Sequence, residues 1–134
     1  MAQAALVSRD LPREAIEAGK LLVRELDRAR FPVPVAAWLY SDEAAAWRLY
    51  IATPEVRSGG PMKAYATVLR VLEGLGENAR TIRLEDIYLV DLNEPRIQSL
   101  RKMVRTSKTV TENRFINASV GDTVIEDSIV YRST

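Results

Sequence analysis

The sequence predicts a single globular domain of the α+β class over residues 1–134, with a mixed sheet of about five strands and helices packed on it. Two observations predict the strands: apolar, β-branched and aromatic runs occur in pairs, in 33–53 and in 114–132, and a short polar turn joins each pair. A third observation predicts the helices, because apolar residues recur at helical spacing in three other segments. The expected order is α-β-β-α-β-α-β-β, and both strand pairs are expected to be antiparallel hairpins.

The first hairpin, from Val33 to Thr53, is the stretch around which the chain is organised. Its two runs flank the turn Ser41-Asp42-Glu43, and a turn centred on Glu43 would pair Leu39 with Trp47. In that register one face of the hairpin is apolar. The other is an aromatic face around one cation, made by Trp38, Tyr40, Arg48 and Tyr50. A slip of one residue would place Trp47 beside Trp38 and Tyr40, and the sequence alone leaves the register open.

This aromatic face is the candidate interaction face, and two interpretations of it stay open. A helix covers it in the first interpretation, with Arg48 stacked on Trp38 or Tyr50. In the second it is exposed and accepts a base, a side chain of a partner protein or a second copy of the chain.

Two helices are predicted before the middle of the chain. The first runs from a cap at Asp10 to about Arg30, where Phe31-Pro32 stops it. The second begins near Pro61 after a glycine-containing connector, ends at Gly74 and Gly76, and buries a stripe that includes Leu69. The connector lacks the spacing of a phosphate-binding loop, so we interpret it as a plain linker.

The second half of the chain predicts one strand, one helix and the closing hairpin. The apolar run 87–92 shows little alternation, which favours a central strand. Asn93 is the expected cap of a helix that reaches about Arg105. The last two strands, 114–120 and 123–132, are joined by Gly121-Asp122.

Composition excludes several chemistries. The chain contains no Cys and no His, which rules out Cys/His zinc sites, haem ligated by those residues, Cys nucleophiles and Ser-His-Asp hydrolysis within it. No catalytic motif is recognisable, so we favour a non-enzymatic role and expect no metal and no cofactor. We expect no secretory signal in the first ten residues and no membrane span, and therefore a soluble cytoplasmic protein.

A basic stripe at 96–114 is the strongest charge signal in a chain whose net charge is only +1. Together with neighbouring hydroxyl groups, its cations suit phosphate oxygens on a nucleic acid or a small anion. The other interpretation is a solvated helix end, where cations complement the negative end of the helix dipole. The candidate binding residues are Arg101, Lys102, Arg105, Lys108 and Arg114.

Carboxylates in the last strand are the weak catalytic candidates. Glu126 and Asp127 are adjacent, so one of them is expected to point inward and to need a cationic partner, for which Arg48, Arg83 and Arg114 are available. With Asp91, the inward carboxylate would form a metal site for phosphodiester hydrolysis.

Three pieces of the sequence carry a resemblance: FPVPVAAWLYSDEAAAWRLYIATPEV, GGPMKAY and IEDSIVYR. They resemble parts of small bacterial α+β proteins of a family that has no assigned activity. The resemblance runs along most of the chain and implies no reaction.

Three functional hypotheses follow. The first is a non-catalytic interaction or binding module, expected to be a homo-oligomer or to bind a protein partner. The second is an anion or nucleic-acid binder that uses the basic stripe. The third is the metal-assisted hydrolase.

Overall fold

The computed structural model describes residues 10–41 and 43–134. Segment 1–9, where we expect no secretory signal, lies outside the described residues, as does Asp42 of the first turn. In this described part of the chain, four helices and one five-stranded mixed sheet form an α+β domain, and the predicted element order is confirmed. The elements are α1 (Arg13–Arg28), β1 (Val35–Ser41), β2 (Ala46–Ala52), α2 (Glu55–Ser58), α3 (Pro61–Leu75), β3 (Ile87–Val90), α4 (Pro95–Met103), β4 (Asn113–Val120) and β5 (Thr123–Ser133), with 3-10 turns at Gly76–Ala79 and Leu84–Asp86.

The sheet has the order β3-β2-β1-β5-β4, with β2 and β3 parallel and the other neighbours antiparallel. The prediction that the third strand is central is wrong, because β3 lies at an edge. It alternates after all: Ile87 and Leu89 are buried, whereas Tyr88 is 41% exposed. The connection through α2 and α3 is long enough for β3 to pair parallel with β2. It does so along the edge of β2 that does not face β1.

The register of the first hairpin differs by one residue from the expected one. Tyr40 pairs with Trp47 and Trp38 with Leu49. The centre of the turn therefore moves from Glu43 to between Glu43 and Ala44; Ala45 has a positive φ of 50°, and the Ala44 amide donates to Ser41 Oγ. Because side chains alternate between faces, the shift exchanges the two faces of β1 relative to β2.

Two hydrophobic clusters lie on opposite faces of the sheet. Helices α1 and α3 cover the face that carries Trp38, Tyr40 and Trp47, and the short helix α4 packs on the other face through Ile97 and Leu100. The predicted stripe of α3 is wrong at Leu69, which is exposed, while Ala64, Val68 and Leu72 are buried. Within the described residues, none of the helices combines the length and the apolar character needed to cross a bilayer.

Both predicted helix caps are displaced. Helix α1 begins after Pro12, which has an extended backbone, so the prediction of Asp10 as the cap is wrong. Glu94 rather than Asn93 caps α4, since its carboxylate accepts a hydrogen bond of 3.2 Å from the Ile97 amide. The helix also ends earlier than expected, at Met103, because Val104 is already extended.

A bulge in β5 aims one tyrosine into the helical layer. The β1–β5 register shifts between Ala36 and Ala37, which leaves Tyr131 as the extra residue. Its hydroxyl donates to the Ile16 carbonyl of α1 at 2.6 Å and accepts from Trp38 Nε1 at 2.9 Å. Tyr131 and Trp38 are fully buried. Burial strongly raises the pKa of the Tyr131 phenol, so the group stays neutral at ordinary pH.

Gly19 makes room for this tyrosine. A Cβ atom at position 19 would lie 2.2 Å from the Tyr131 hydroxyl oxygen. We therefore expect Gly19→Ala to lower the free energy of unfolding by about 1–3 kcal/mol, the usual cost of overpacking, although alanine is the better helix former. Urea unfolding followed by circular dichroism measures the change.

The matched control is Gly74→Ala in α3, where nothing lies within 4 Å of the added Cβ. There we expect a gain of about 0.5–1 kcal/mol from helix propensity. A Gly19→Ala protein as stable as Gly74→Ala would contradict the steric explanation.

Candidate functional site

The α4 face of the sheet is only partly covered. With nine residues, α4 is about 14 Å long, and it packs near Val35, Ala52 and Val130. Where the face continues past α4, the structure has a cleft of about 110 Å³. We call it the Arg48–Arg96 cleft; its lining includes Leu39, Glu43, Arg48, Tyr50, Arg96, Val124 and Glu126.

Two arginines and two tyrosines are linked at this cleft, and we call them the arginine–tyrosine cluster. Arg96 Nη1 donates to the Tyr50 hydroxyl at 2.9 Å. The rings of Tyr50 and Tyr88 lie 5.4 Å apart, and the guanidinium carbon of Arg48 is 5.6 Å from the centre of the Tyr88 ring. A cation–π contact at an exposed site contributes about 0.5–1 kcal/mol. The contacts hold the half-exposed Tyr88 ring in a defined position.

Tyr50 is the buried anchor of the cluster. Burial raises the pKa of its phenol, and the charge of Arg96 together with the hydrogen bond from it opposes part of that rise. The phenol is therefore protonated at neutral pH and available both to accept from Arg96 and to donate.

The predicted interaction face does not exist as one surface. Trp38 and Tyr40 lie beneath α1 and α3, where Tyr40 meets Trp47 edge to face at 5.4 Å. Arg48 and Tyr50 lie on the opposite face, because of the one-residue difference in register. The expectation that Arg48 stacks on Trp38 or Tyr50 is also wrong, since its aromatic contact is with Tyr88 of β3.

The predicted basic stripe is divided by the fold. Arg101 and Arg105 stay together at the end of α4, where Arg105 Nε donates to the Arg101 carbonyl at 3.0 Å and Arg101 Nε donates to the Thr134 carbonyl at 3.2 Å. Lys102 is exposed beside them. Lys108 lines a separate surface groove with Asp27 and Arg132, and Arg114 lies in β4.

The structure confirms that one acid of the Glu126-Asp127 pair is buried and partnered. Asp127 is buried and accepts from Arg114 Nη2 at 2.6 Å and Nε at 3.1 Å. The carboxylate in turn raises the pKa of the Arg114 guanidinium. Arg114 is thus engaged in an ion pair within the fold, which is a structural role for this member of the predicted stripe.

Asp91 does not join this pair. Its carboxylate binds Arg57 at 2.8 Å, at the end of β3, whereas Asp127 lies three strands away in β5. Three interstrand spacings amount to about 14 Å, so the expectation that these carboxylates hold one metal is wrong. Within 10–41 and 43–134, no group of three or more acidic side chains is placed to hold a metal ion.

The outer part of the last hairpin extends past the sheet, and we call residues 117–126 the β-arm. Among the described residues, the β1–β5 pairing stops at Tyr40 and Asp127, whereas β4 and β5 continue to pair as far as Val120 and Thr123. Ile125 is buried in the α4-side cluster. In contrast, Val124 is 61% exposed, and Ile116 at the base of the arm is 58% exposed.

The sequence did not predict the roles of some residues that organise these surfaces. Tyr88 lies within an apolar run, so its exposure was not predicted. Its position between Ile87 and Leu89 nevertheless fits the alternation of buried and exposed residues in a strand. Arg96 begins the predicted stripe at 96–114 but is not among its candidate binding residues, and it reaches back to Tyr50. The ion pair between Arg132 and Asp27, at 2.7 Å, joins residues 105 positions apart, and no local pattern indicates it.

Comparison with protein-family models, curated proteins and solved structures finds no match to this chain. Membership of a bacterial family without assigned activity therefore stays a prediction.

An ion cluster holds the segment before β4 against α1. The Glu112 carboxylate accepts from Arg13 at 2.6 Å and binds Lys20 Nζ at 2.9 Å. Arg13 and Lys20 lower the pKa of Glu112 from 4.5 to about 2. A lowered pKa means that this contribution to stability is complete above pH 4.5 and is lost as the pH falls toward 2.

We therefore expect Glu112→Gln to make the free energy of unfolding depend less on pH in the acid range. Between pH 4.5 and 2 the free energy of unfolding should fall less steeply in the variant than in the wild-type protein, because the variant has one carboxylate fewer to protonate. Urea unfolding at a series of pH values measures the two slopes. Glu77→Gln, at a fully exposed position, is the control. Equal slopes for wild type and Glu112→Gln would contradict the assignment.

Proposed function

We propose that this chain is a non-catalytic binding module of the cytoplasm that self-associates through the β-arm. The observation that carries the proposal is the extension of β4 and β5 beyond β1, with Val124 exposed on this extension and Ile116 exposed at its base. A two-stranded ribbon is marginally stable in water by itself, and further strands stabilise it. A second copy of the arm supplies such strands.

The arm has backbone groups available for this pairing. In an antiparallel ladder every second residue of an edge strand directs its N–H and C=O groups away from its neighbour. Strand β4 is the sheet edge over eight residues, and among the described residues β5 pairs only with β4 on the turn side of Asp127. Two identical arms related by a two-fold axis would pair antiparallel and extend both sheets.

The composition of the arm favours pairing rather than preventing it. Natural edge strands are commonly protected by Lys, Pro or inward-pointing charges. Within the arm, the stretch 117–125, NASVGDTVI, has a single charged residue, Asp122 in the turn, and Glu126 follows at the base of the arm, although 28% of the whole chain is charged. The low charge of this stretch removes the repulsion that would keep two arms apart.

The test is the sedimentation of charged variants. We expect wild-type protein to show a dimer in analytical ultracentrifugation, and Val124→Lys and Ile116→Lys to shift it toward monomer by at least tenfold in dissociation constant, since each buries a charge at the interface. Met62→Lys is the control, because Met62 is 83% exposed on α3, away from the arm.

Circular dichroism confirms that each variant is folded before sedimentation. A wild-type protein that stays monomeric at high concentration would refute self-association. A dimer that is unaffected by either arm substitution would place the interface elsewhere and refute the assignment to the arm.

A second candidate function is anion or nucleic-acid binding at the end of α4. It is favoured by the cluster of Arg101, Lys102 and Arg105, which the backbone contacts of both arginines keep together. Three adjacent cations suit the phosphate groups of a polyanion, and such binding weakens as salt is added.

For this candidate we expect the triple variant Arg101→Glu, Lys102→Glu, Arg105→Glu to abolish salt-sensitive oligonucleotide binding in fluorescence anisotropy. The matched control carries the same charge change at exposed positions on and after α3: Lys63→Glu, Arg70→Glu, Arg80→Glu. Equal losses in both variants would mean that net charge rather than this cluster is responsible. Failure of the wild-type protein to bind at low salt would refute the candidate.

A further inference from the structure

We propose that the arginine–tyrosine cluster binds a nucleotide, with the base stacked on Tyr88 and the phosphate group in the Arg48–Arg96 cleft. The proposal does not use the cations at the end of α4, and its cleft borders the β-arm through Val124 and Glu126. Its three supports are an exposed aromatic ring held in place, two guanidinium groups beside it, and a cleft whose size suits one anionic group.

The exposed ring of Tyr88 is a stacking surface. It is 41% exposed and lies on β3, at the edge of the sheet, so a planar ligand reaches it from solvent. The guanidinium group of Arg48 lies over the ring, 5.6 Å from its centre, and the Tyr50 ring packs against it at 5.4 Å with the two planes tilted by 55°. A ring that is already immobilised loses little conformational freedom when a base stacks on it.

The two arginines supply the complement to a phosphate group. Arg48 and Arg96 both line the cleft, and guanidinium groups match the geometry of phosphate oxygens. The volume of 110 Å³ corresponds to about four waters of ~30 Å³ each. The cleft therefore has room for a phosphate group, and the base would lie outside it on Tyr88.

Two acids restrict the kind of anion. Glu43 and Glu126 line the same cleft, so the four charged side chains balance formally. A highly charged anion that lacks a ring therefore gains little binding free energy in this cleft. A ligand with one phosphate and a planar base gains from both halves of the site, which favours a nucleoside monophosphate or the equivalent unit of a single strand.

Isothermal titration calorimetry at low ionic strength tests the proposal, with adenosine 5′-monophosphate, inorganic phosphate and a deoxyadenosine decamer as probes. We expect the monophosphate to bind more tightly than phosphate alone. Tyr88→Leu should weaken it about tenfold through loss of stacking, whereas Tyr88→Phe, which keeps the ring, should bind as wild type does. Arg48→Gln and Arg96→Gln should also weaken binding, and Glu126→Gln should strengthen it by reducing repulsion.

The control is Arg57→Gln, which changes an exposed arginine of α2, beyond the opposite end of β2, where it pairs with Asp91. The decamer distinguishes the source of the ligand: tighter binding per site than the monophosphate identifies a single strand, and equal or weaker binding identifies a free nucleotide, with the same chemistry supported in both cases. Absence of monophosphate and decamer binding overturns the proposal. So does equal weakening by Tyr88→Leu and Tyr88→Phe, or an effect of Tyr88→Leu on sedimentation alone, which would make the cluster part of a protein interface.

Discussion

One buried hydroxyl group connects the helical layer to the centre of the sheet. The Tyr131 hydroxyl serves as donor to the Ile16 carbonyl of α1 and as acceptor for the Trp38 indole of β1. Its removal would leave the indole N–H unpaired in the core, at a cost of about 1–3 kcal/mol. The glycine at position 19 and the bulge in β5 are both needed to bring this hydroxyl to its partners. The orientation of α1 on the sheet, and with it the cover over Trp38 and Trp47, depends on this junction.

That cover decides which face of the sheet is available for binding. Helices α1 and α3 bury one face with large aromatic side chains, whereas α4 is too short to bury the other. The uncovered part carries two tyrosines and two arginines beside the exposed Val124, so it can meet water without exposing a large apolar patch. The same composition, tyrosine and arginine, is typical of surfaces that bind partners and ligands.

The sequence predicts the order of helices and strands much better than it predicts which strands pair and in which register. Period and turn residues were sufficient for the order of helices and strands, because these are local signals. The register of the first hairpin was missed by one residue, since it depends on a left-handed Ala45 that no residue type announces. The edge position of β3 depends on which strands pair across long sequence separations, and an apolar run carries no such information. The cap of α4 was missed by one residue because Asn93 and Glu94 are both competent acceptors.

The candidate sites also combine local features, which the sequence predicts, with contacts between distant residues, which it does not predict. A buried acid with a cationic partner was predictable from Glu126-Asp127, since adjacent strand residues point to opposite faces, but its choice of Arg114 was not. The arginine–tyrosine cluster draws on β2, β3 and α4, so its members are up to 48 residues apart in the chain. Only the fold brings Arg96 to Tyr50 and Arg48 to Tyr88.

The position of β5 has a consequence for synthesis. This strand lies between β1 and β4 in the sheet but follows all the other described elements in the chain. While the ribosome is making the chain, β2 is the only strand that can pair with β1. The space beside Gly19 that Tyr131 fills in the folded protein is still unoccupied. The part of the apolar surface of α1 and β1 that β5 covers therefore stays exposed until residues 123–133 emerge. A nascent chain in this state exposes apolar surface and unpaired strand edges, the features that chaperones recognise.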